Sequence, residues 1–490
     1  MIQIICKSES YTYNVYHMLK AFYPSEEILS KMEEKASNYV TVLLPGGEKI
    51  HAGVGEVLNA AENMGDANAI EEKEMKYRID VYIYRRLTEI TGRSLAWGIL
   101  MGVRPTKIAM KKLEEGWNQE TFVPWFMDEC KVSHQKARLS WGIANREREL
   151  LDRLDCEEGY SLYVGIPFCP SVCTYCSFSS GALEDWKDRV EDYLEALLKE
   201  LRFIGERSAD RKLNTIYMGG GTPTTLTATQ LDRLLTCIDE SFSKEYLLEY
   251  TVEAGRPDSI TRGKLEVLKR HGITRISINP QSMQQKTLDV IGRRHSVGEI
   301  VSAYHMAREV GFDNINMDII AGLPGETIED MQDTLRQIED LRPDSLTVHS
   351  LAIKRAAKME LKDLDQDTER IFYTLSGMIR EAAKAAEGME LFPYYLYRQK
   401  NIAGNFENVG YAKVDKAGIY NILIMEEKQS IIAAGAGAST KIVLKEPIPM
   451  PGSKKKKMTR LMRVENVKAI DAYINRIDEM IERKGEWLWR

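Results

Sequence analysis

The chain has no long apolar run. Its longest nearly uncharged apolar stretch, around Leu95 to Val103, is far short of the ~20 residues a membrane-spanning helix needs, so no membrane span is expected. The opening MIQIICKSES lacks a basic segment followed by an apolar core, and no secretory signal is expected. Excess positive charge is also missing. Lys and Arg number 67 against 73 Asp and Glu, the net charge is −6, and non-specific nucleic-acid binding has no electrostatic support. Cysteine is sparse, 7 in 490 residues. A reducing, cytoplasmic setting is the expectation, where cysteines ligate metal or pack in cores more often than they form disulfides. Cys6, Cys130, Cys156 and Cys237 are scattered and read as buried thiols; the other three are not scattered.

What remains is ordinary soluble-protein composition, 43% hydrophobic and 29% charged. The length is about three domains' worth at roughly 150 residues each, enough to bury a large core without disulfides. The texture divides the chain into blocks 1–155, 156–355 and 356–490. The first opens with strand-like runs Ile2 to Cys6 and Tyr39 to Leu44. Helical patterns follow, including Lys73 to Thr91, with Pro105 placed for a helix's first turn. A small α/β accessory domain is expected there. In the second block, strand candidates Ser161 to Ile166, Asn214 to Met218, Leu248 to Ala254, Arg275 to Asn279, Asn314 to Ala321 and Ser345 to Leu351 alternate with amphipathic helical patterns. Six alternations argue for parallel βα units: an α/β fold, either a partial (β/α)6 barrel or a doubly wound sheet. The third block is a mixed α/β extension. It has a helical pattern Thr368 to Ala386, a strand-like run Ile419 to Met425, a glycine-broken segment Ala433 to Ala438 and a basic loop Lys454 to Lys457.

The chemistry gathers where the first of the six strands ends, at Cys169-Pro-Ser-Val-Cys173-Thr-Tyr-Cys176. Three thiolates within eight residues can converge on one point, and such clusters select zinc, Cu(I) or iron–sulfur. Structural zinc wants four closed ligands, and no nearby His or Cys completes the set. A cubane cluster held by three cysteines keeps one iron open, which suits catalysis better than simple electron transfer. At the second strand's end, Gly219-Gly220-Gly221-Thr222-Pro223-Thr224 has no Walker lysine, so a P-loop is excluded. It suits a backbone that approaches a ligand closely, ahead of a helix near Thr225. Glu253, Gln281 and Asp318 fall at further strand ends, the rim where parallel barrels collect functional residues.

The Cys-x3-Cys-x2-Cys spacing resembles the radical S-adenosylmethionine (SAM) enzymes. The resemblance implies a [4Fe–4S] cluster on Cys169, Cys173 and Cys176, with SAM chelating the open iron and cleaved by one electron to a 5′-deoxyadenosyl radical. Further motifs are similar to the coproporphyrinogen III dehydrogenase branch, which includes HemN, the haem chaperone HemW and the HemZ group. Tyr163-Val-Gly-Ile-Pro-Phe-Cys169 resembles Y-V-H-I-P-F-C, and Gly219 to Thr224 matches G-G-G-T-P-T. Arg275-Ile-Ser-Ile-Asn-Pro-Gln281-Ser, Ile291-Gly-Arg293-Arg-His295, Asn316-Met-Asp318 to Thr327 and Gly435-Ala-Gly437-Ala carry the rest. By that resemblance Tyr163, Gly220, Gly221, Thr222, Glu253, Gln281, Arg293, Asp318 and Ala352 would contact SAM. Arg293 could pair with its carboxylate, and Tyr175 could lie against the adenine. A tetrapyrrole substrate and a low-potential electron donor such as flavodoxin or ferredoxin are implied as partners. Oxidative decarboxylation of two propionates to vinyls, giving protoporphyrinogen IX, is the implied activity.

Departures sharpen the placement. HemN carries a further cysteine where this chain has Phe178. The branch's E-N-P is Glu253-Ala-Gly-Arg-Pro257 here, and the chaperone's haem-binding H-N-x-x-Y is Glu407-Asn-Val-Gly-Tyr411. Trp97-Gly-Ile, Gly102-Val-Arg-Pro-Thr106 and Tyr397-Arg-Gln-Lys-Asn401 are similar to the HemZ group. For a polycarboxylate substrate, Arg256, Lys354, Arg355 and Arg398 are the cationic candidates.

Overall fold

The computed structural model describes residues 1–59, 72–102, 104–177, 180–352, 359, 368–398, 405–450 and 458–489. Lys454 to Lys457, Val103, Phe178, Lys354, Arg355 and Gln399 to Asn401 lie outside the described residues.

Alternation of apolar and polar residues makes the first strands. β1 (Ile2–Cys6), β2 (Ile28–Met32), β3 (Val40–Leu43) and β4 (Lys49–Ala52) form a sheet of order β2-β1-β3-β4. The period of two in β1 and β3 turns Ile2, Ile4, Cys6, Val40 and Val42 inward, against the helices Glu9–Phe22 and Glu72–Thr91. That core ends near Met101. The helices Thr106–Glu114, Gln119–Cys130 and His134–Leu151 bury their apolar faces in a second, larger core shared with everything that follows. A division into separable units at 155/156 and 355/356 is a proposal, which limited proteolysis would test.

The remaining strands are β5 (Gly159–Ile166), β6 (Phe168–Cys169), β7 (Gly181–Ala182), β8 (Lys212–Gly220), β9 (Glu249–Gly255), β10 (Arg275–Ile278), β11 (Ile315–Ala321), β12 (Ser345–Ser350), β13 (Phe392–Arg398), β14 (Glu407–Ala412), β15 (Ser430–Ala434), β16 (Ser439–Pro449) and β17 (Met458–Glu465). Eleven of them form one sheet, ordered β13-β14-β12-β11-β10-β9-β8-β5-β15-β16-β17. From β5 to β12 every pairing is parallel, so the six expected βα strands are neighbours in chain order. Among the described residues β12 and β5 do not pair, so the sheet does not close. It nonetheless curls: Tyr163, Tyr217, Glu253, Ser277, Asp318 and Thr347, one from each strand, line a single cavity. A flat doubly wound sheet cannot turn six strands toward one space, so the partial barrel holds. Amphipathic helices such as Val190–Arg207 and Ala228–Ser241 pack one face on its outside. No helix among the described residues is long and apolar enough to cross a membrane.

The C-terminal block supplies both flanks. β14 pairs antiparallel with β12, while β15 adds a seventh parallel strand beside β5. Two local expectations are corrected. The run Ile419 to Met425 is a helix, Ile419–Glu426, burying Tyr420, Leu423 and Glu426 at a spacing of three. The edge a strand would need there is already taken by β15. The segment after the glycine run makes one 3-10 turn, Pro223–Thr225. The α-helix begins only at Ala228, capped by Thr227 and Gln230.

Candidate active site

At the C-terminal ends of the parallel strands lies a cavity of about 460 Å³, and all thirteen residues singled out in the sequence line it: Tyr163, Cys169, Cys173, Tyr175, Cys176, Gly220, Gly221, Thr222, Glu253, Gln281, Arg293, Asp318 and Ala352. The cysteine loop is held in place by its neighbours. Thr174 N donates to Ile291 O (3.1 Å), Ser171 Oγ donates to Gly292 O (3.2 Å), and Cys176 N donates to Cys173 O (3.2 Å). Thr222 Oγ1 lies 3.7 Å from Cys169 Sγ. Burial pushes the Cys169 thiol up, partly offset by hydrogen bonds from Thr222 and Ser180. Among the described residues no three His, Cys, Asp or Glu side chains stand close enough to ligate one ion. The three thiols line the same cavity, where one cluster could meet all of them.

The glycine run serves the cysteine loop directly. Gly221 N donates to Ile166 O and Thr222 N to Phe168 O, both 2.7 Å. A Cβ on Gly221 would stand 2.5 Å from Phe168 O and 2.8 Å from Ile166 O, so a side chain there would push the two segments apart. The close approach is therefore between two stretches of this chain's own backbone.

Two carboxylates in the cavity are pushed in opposite directions. Burial raises Glu253 to about 7, and Asp318 adds to the rise. Tyr217 Oη donates to its carboxylate. Burial also pushes Asp318 up, but His349, Asn316 and Thr347 more than offset it, and Asp318 ends below the usual carboxylate range. Asn316 Nδ2 donates to Asp318 Oδ1 at 2.7 Å, and His349 Nε2 lies 3.7 Å from Oδ2. Gln281 is held at φ +66 by hydrogen bonds with Asp318 O and Ile320 N, each 2.9 Å, and its Oε1 is buried without a partner. Arg293 Nη1 donates to Asn279 O and Nη2 reaches Tyr175 Oη at 3.4 Å, while its Nε has no partner. Buried polar groups in native proteins are nearly always satisfied. Orphaned atoms around a cavity rimmed by thiols therefore fit a polar cofactor beside an iron–sulfur cluster.

Several lining residues were missed. Arg275, Ser277 and Asn279 on β10 and its exit, Asn316 on β11, and Thr347 and His349 on β12 all face the cavity. Their signal was polar residues at alternate positions of otherwise apolar strands, since strands buried on both faces are normally apolar throughout. Tyr420, from the C-terminal helix, stacks on Tyr217 (4.5 Å between centroids), which stacks in turn near Tyr163 (6.3 Å). Of the cationic candidates, Arg256 lines the cavity but is tied to the cysteine loop. Arg398 lies elsewhere, over the Trp97 ring and donating to Leu100 O. Glu407 is buried, accepting from Trp97 Nε1 (2.7 Å) and paired with Lys136.

A family model described as the radical SAM superfamily matches residues 163–338. The chain is 40% identical over 427 residues to the oxygen-independent coproporphyrinogen-III oxidase-like protein HemZ of Bacillus subtilis (strain 168), covering 86% of this chain and 84% of that protein. It is 32% identical over 228 residues to the heme chaperone HemW of the same organism, covering 44% of this chain and 59% of that one. Among solved structures, coproporphyrinogen III oxidase (HemN) from Escherichia coli superposes with a TM-score of 0.52 at 22% identity, covering 68% of this chain and 72% of that one.

Proposed function

The chain belongs to the radical SAM superfamily, in the family of oxygen-independent coproporphyrinogen-III oxidase-like proteins, and we propose that it oxidatively decarboxylates propionate side chains of coproporphyrinogen III to vinyls. The superfamily works with a [4Fe–4S] cluster and SAM, which when bound supply a one-electron cleavage and a radical able to take hydrogen from an unactivated carbon. Cys169, Cys173 and Cys176 would hold three of the cluster's irons. Asp318 would accept from ribose hydroxyls, and Glu253 from the N–H groups of the amino group. Arg293 would offer its free Nε to the carboxylate, and Tyr175 would lie against the adenine. Tyr163, Gly220, Gly221, Thr222, Gln281 and Ala352 shape the walls. The electron comes from a low-potential donor protein of the flavodoxin or ferredoxin kind. Each propionate loses a hydrogen atom to the radical, then CO2 and one electron, which passes to an external one-electron acceptor.

The observation that carries the substrate class is Arg275. Its side chain lines the cavity at 2% residue exposure, its hydrogen bond among the described residues goes to Ser345 Oγ (3.1 Å), and its Nε has no partner. Tyr394, Glu249, Tyr217 and Asp318 act on it electrostatically, and no hydrogen bond or ion pair to a carboxylate holds it among the described residues. A buried guanidinium with donors to spare suits a carboxylate ligand. The chaperone reading is disfavoured by Glu407, whose carboxylate is consumed by Trp97 and Lys136.

The test is anaerobic turnover of the reconstituted protein with SAM, reductant and coproporphyrinogen III, followed by mass spectrometry. Two successive losses of the mass of formic acid, with 5′-deoxyadenosine formed in step, are expected. Arg275→Gln should lower porphyrin formation at least tenfold, since a hydrogen bond between charged groups contributes about 1.5–3 kcal/mol, while leaving SAM affinity unchanged. Deoxyadenosine without a porphyrin product would refute the substrate.

A further inference from the structure

We propose that Arg256 is a positioning residue for the cluster: its guanidinium donates to the Cys173 sulfur and raises the reduction potential of the cluster that Cys173 holds. This rests on the cysteine ligation proposed above and adds a residue that controls the electron step.

The placement follows from the backbone. β9 ends at Gly255 with φ +61, a left-handed turn that directs the next residue back toward the cysteine loop. Arg256, 3% exposed, uses Nη1 on three acceptors of that loop: Ser171 O (3.0 Å), Ser171 Oγ (2.7 Å) and Cys173 Sγ (3.9 Å). Its other edge is clamped by Asp258, with Nε to Oδ1 at 2.9 Å and Nη2 to Oδ2 at 2.6 Å. His295 Nδ1 stands 3.7 Å from Asp258 Oδ1. Arg293 approaches Cys173 as a second cation. The guanidinium is therefore fixed on both edges and cannot swing out to a substrate.

A sulfur bound to iron still accepts hydrogen bonds, and reduction adds electron density to it. A buried, immobile cation donating to that sulfur favours the reduced cluster, because hydrogen bonds to the sulfurs and burial are the protein's levers on cluster potential.

The experiment uses the reconstituted full chain without SAM, with iron counted and the midpoint read by electron paramagnetic resonance during a redox titration. Arg256→Gln should keep the parent's iron content and shift the midpoint negative by at least a tenfold change in the reduction equilibrium, about 59 mV for one electron. Asp258→Asn removes the opposing negative charge and should move it positive, and Arg256→Lys should fall between Arg256→Gln and the parent. An iron-loaded Arg256→Gln protein with an unmoved or raised midpoint would overturn the proposal. Should Arg256→Gln fail to hold iron, an unmoved midpoint in Asp258→Asn overturns it instead. A parent that assembles no cluster overturns the cysteine ligation, and this inference with it.

Discussion

Glu253 and Asp318 share one cavity and one side-chain chemistry, yet burial leaves the first near neutrality's midpoint at about 7 while His349 keeps the second ionised. A cationic ligand favours the ionised form of Glu253, so its binding draws off a proton below pH 7 and strengthens as pH rises. SAM affinity should increase about tenfold between pH 6 and pH 8, as the ionised fraction of a group titrating near 7 does over that range. Glu253→Gln should flatten the profile; isothermal titration at several pH values reads both. The three cysteines and the rim residues were legible because their spacing is local or sits at strand ends. Arg275 was not, because the polar alternation of Arg275, Ser277 and Asn279 says nothing of whether the guanidinium meets a partner. Only the curled sheet shows Nε without one.

Helices carry a second acid–base question. Glu147, on the helix His134–Leu151, is fully buried with both carboxylate oxygens unpartnered. Burial first, and then Glu426 on the helix Ile419–Glu426, push it well above the ordinary range. The folded state thus keeps a proton that the unfolded chain gives up above about pH 4.3. Stability should fall as pH rises from there toward the folded value. Glu147→Gln should unfold at higher denaturant than the parent at pH 8, with a shallower loss between pH 6 and pH 9. An equal slope in both proteins would show that Glu147 does not titrate. The helix Ile419–Glu426 also reaches the active site: Arg104 Nη1 donates to Met425 O (2.7 Å), and Met425 lines the cavity. That helix was misread as a strand because a short apolar run has no decisive period. The neighbours decided it.

At the scale of the molecule, the N-terminal helices and the barrel's antiparallel flank are joined by a buried polar knot. Lys136 pairs with Glu407 on β14, and Trp97 Nε1 donates to the same carboxylate. Both charges are almost fully buried, so Glu407→Ala strands a lysine and should cost about 3–5 kcal/mol of stability in urea titration. Glu407→His should also destabilise, without conferring haem binding, because the site is filled by Trp97 and Lys136. The sequence by itself determined the alternation of six strands and helices, the cysteine spacing and the family, since these depend on period and local order. It did not determine how the C-terminal block divides between the two edges of the sheet, with β14 beside β12 and β15 beside β5. Nor did it reveal the clamp of Asp258 and the cysteine loop on Arg256. Those contacts join residues far apart in the chain, and their energies depend on burial and geometry that exist only after the sheet has curled.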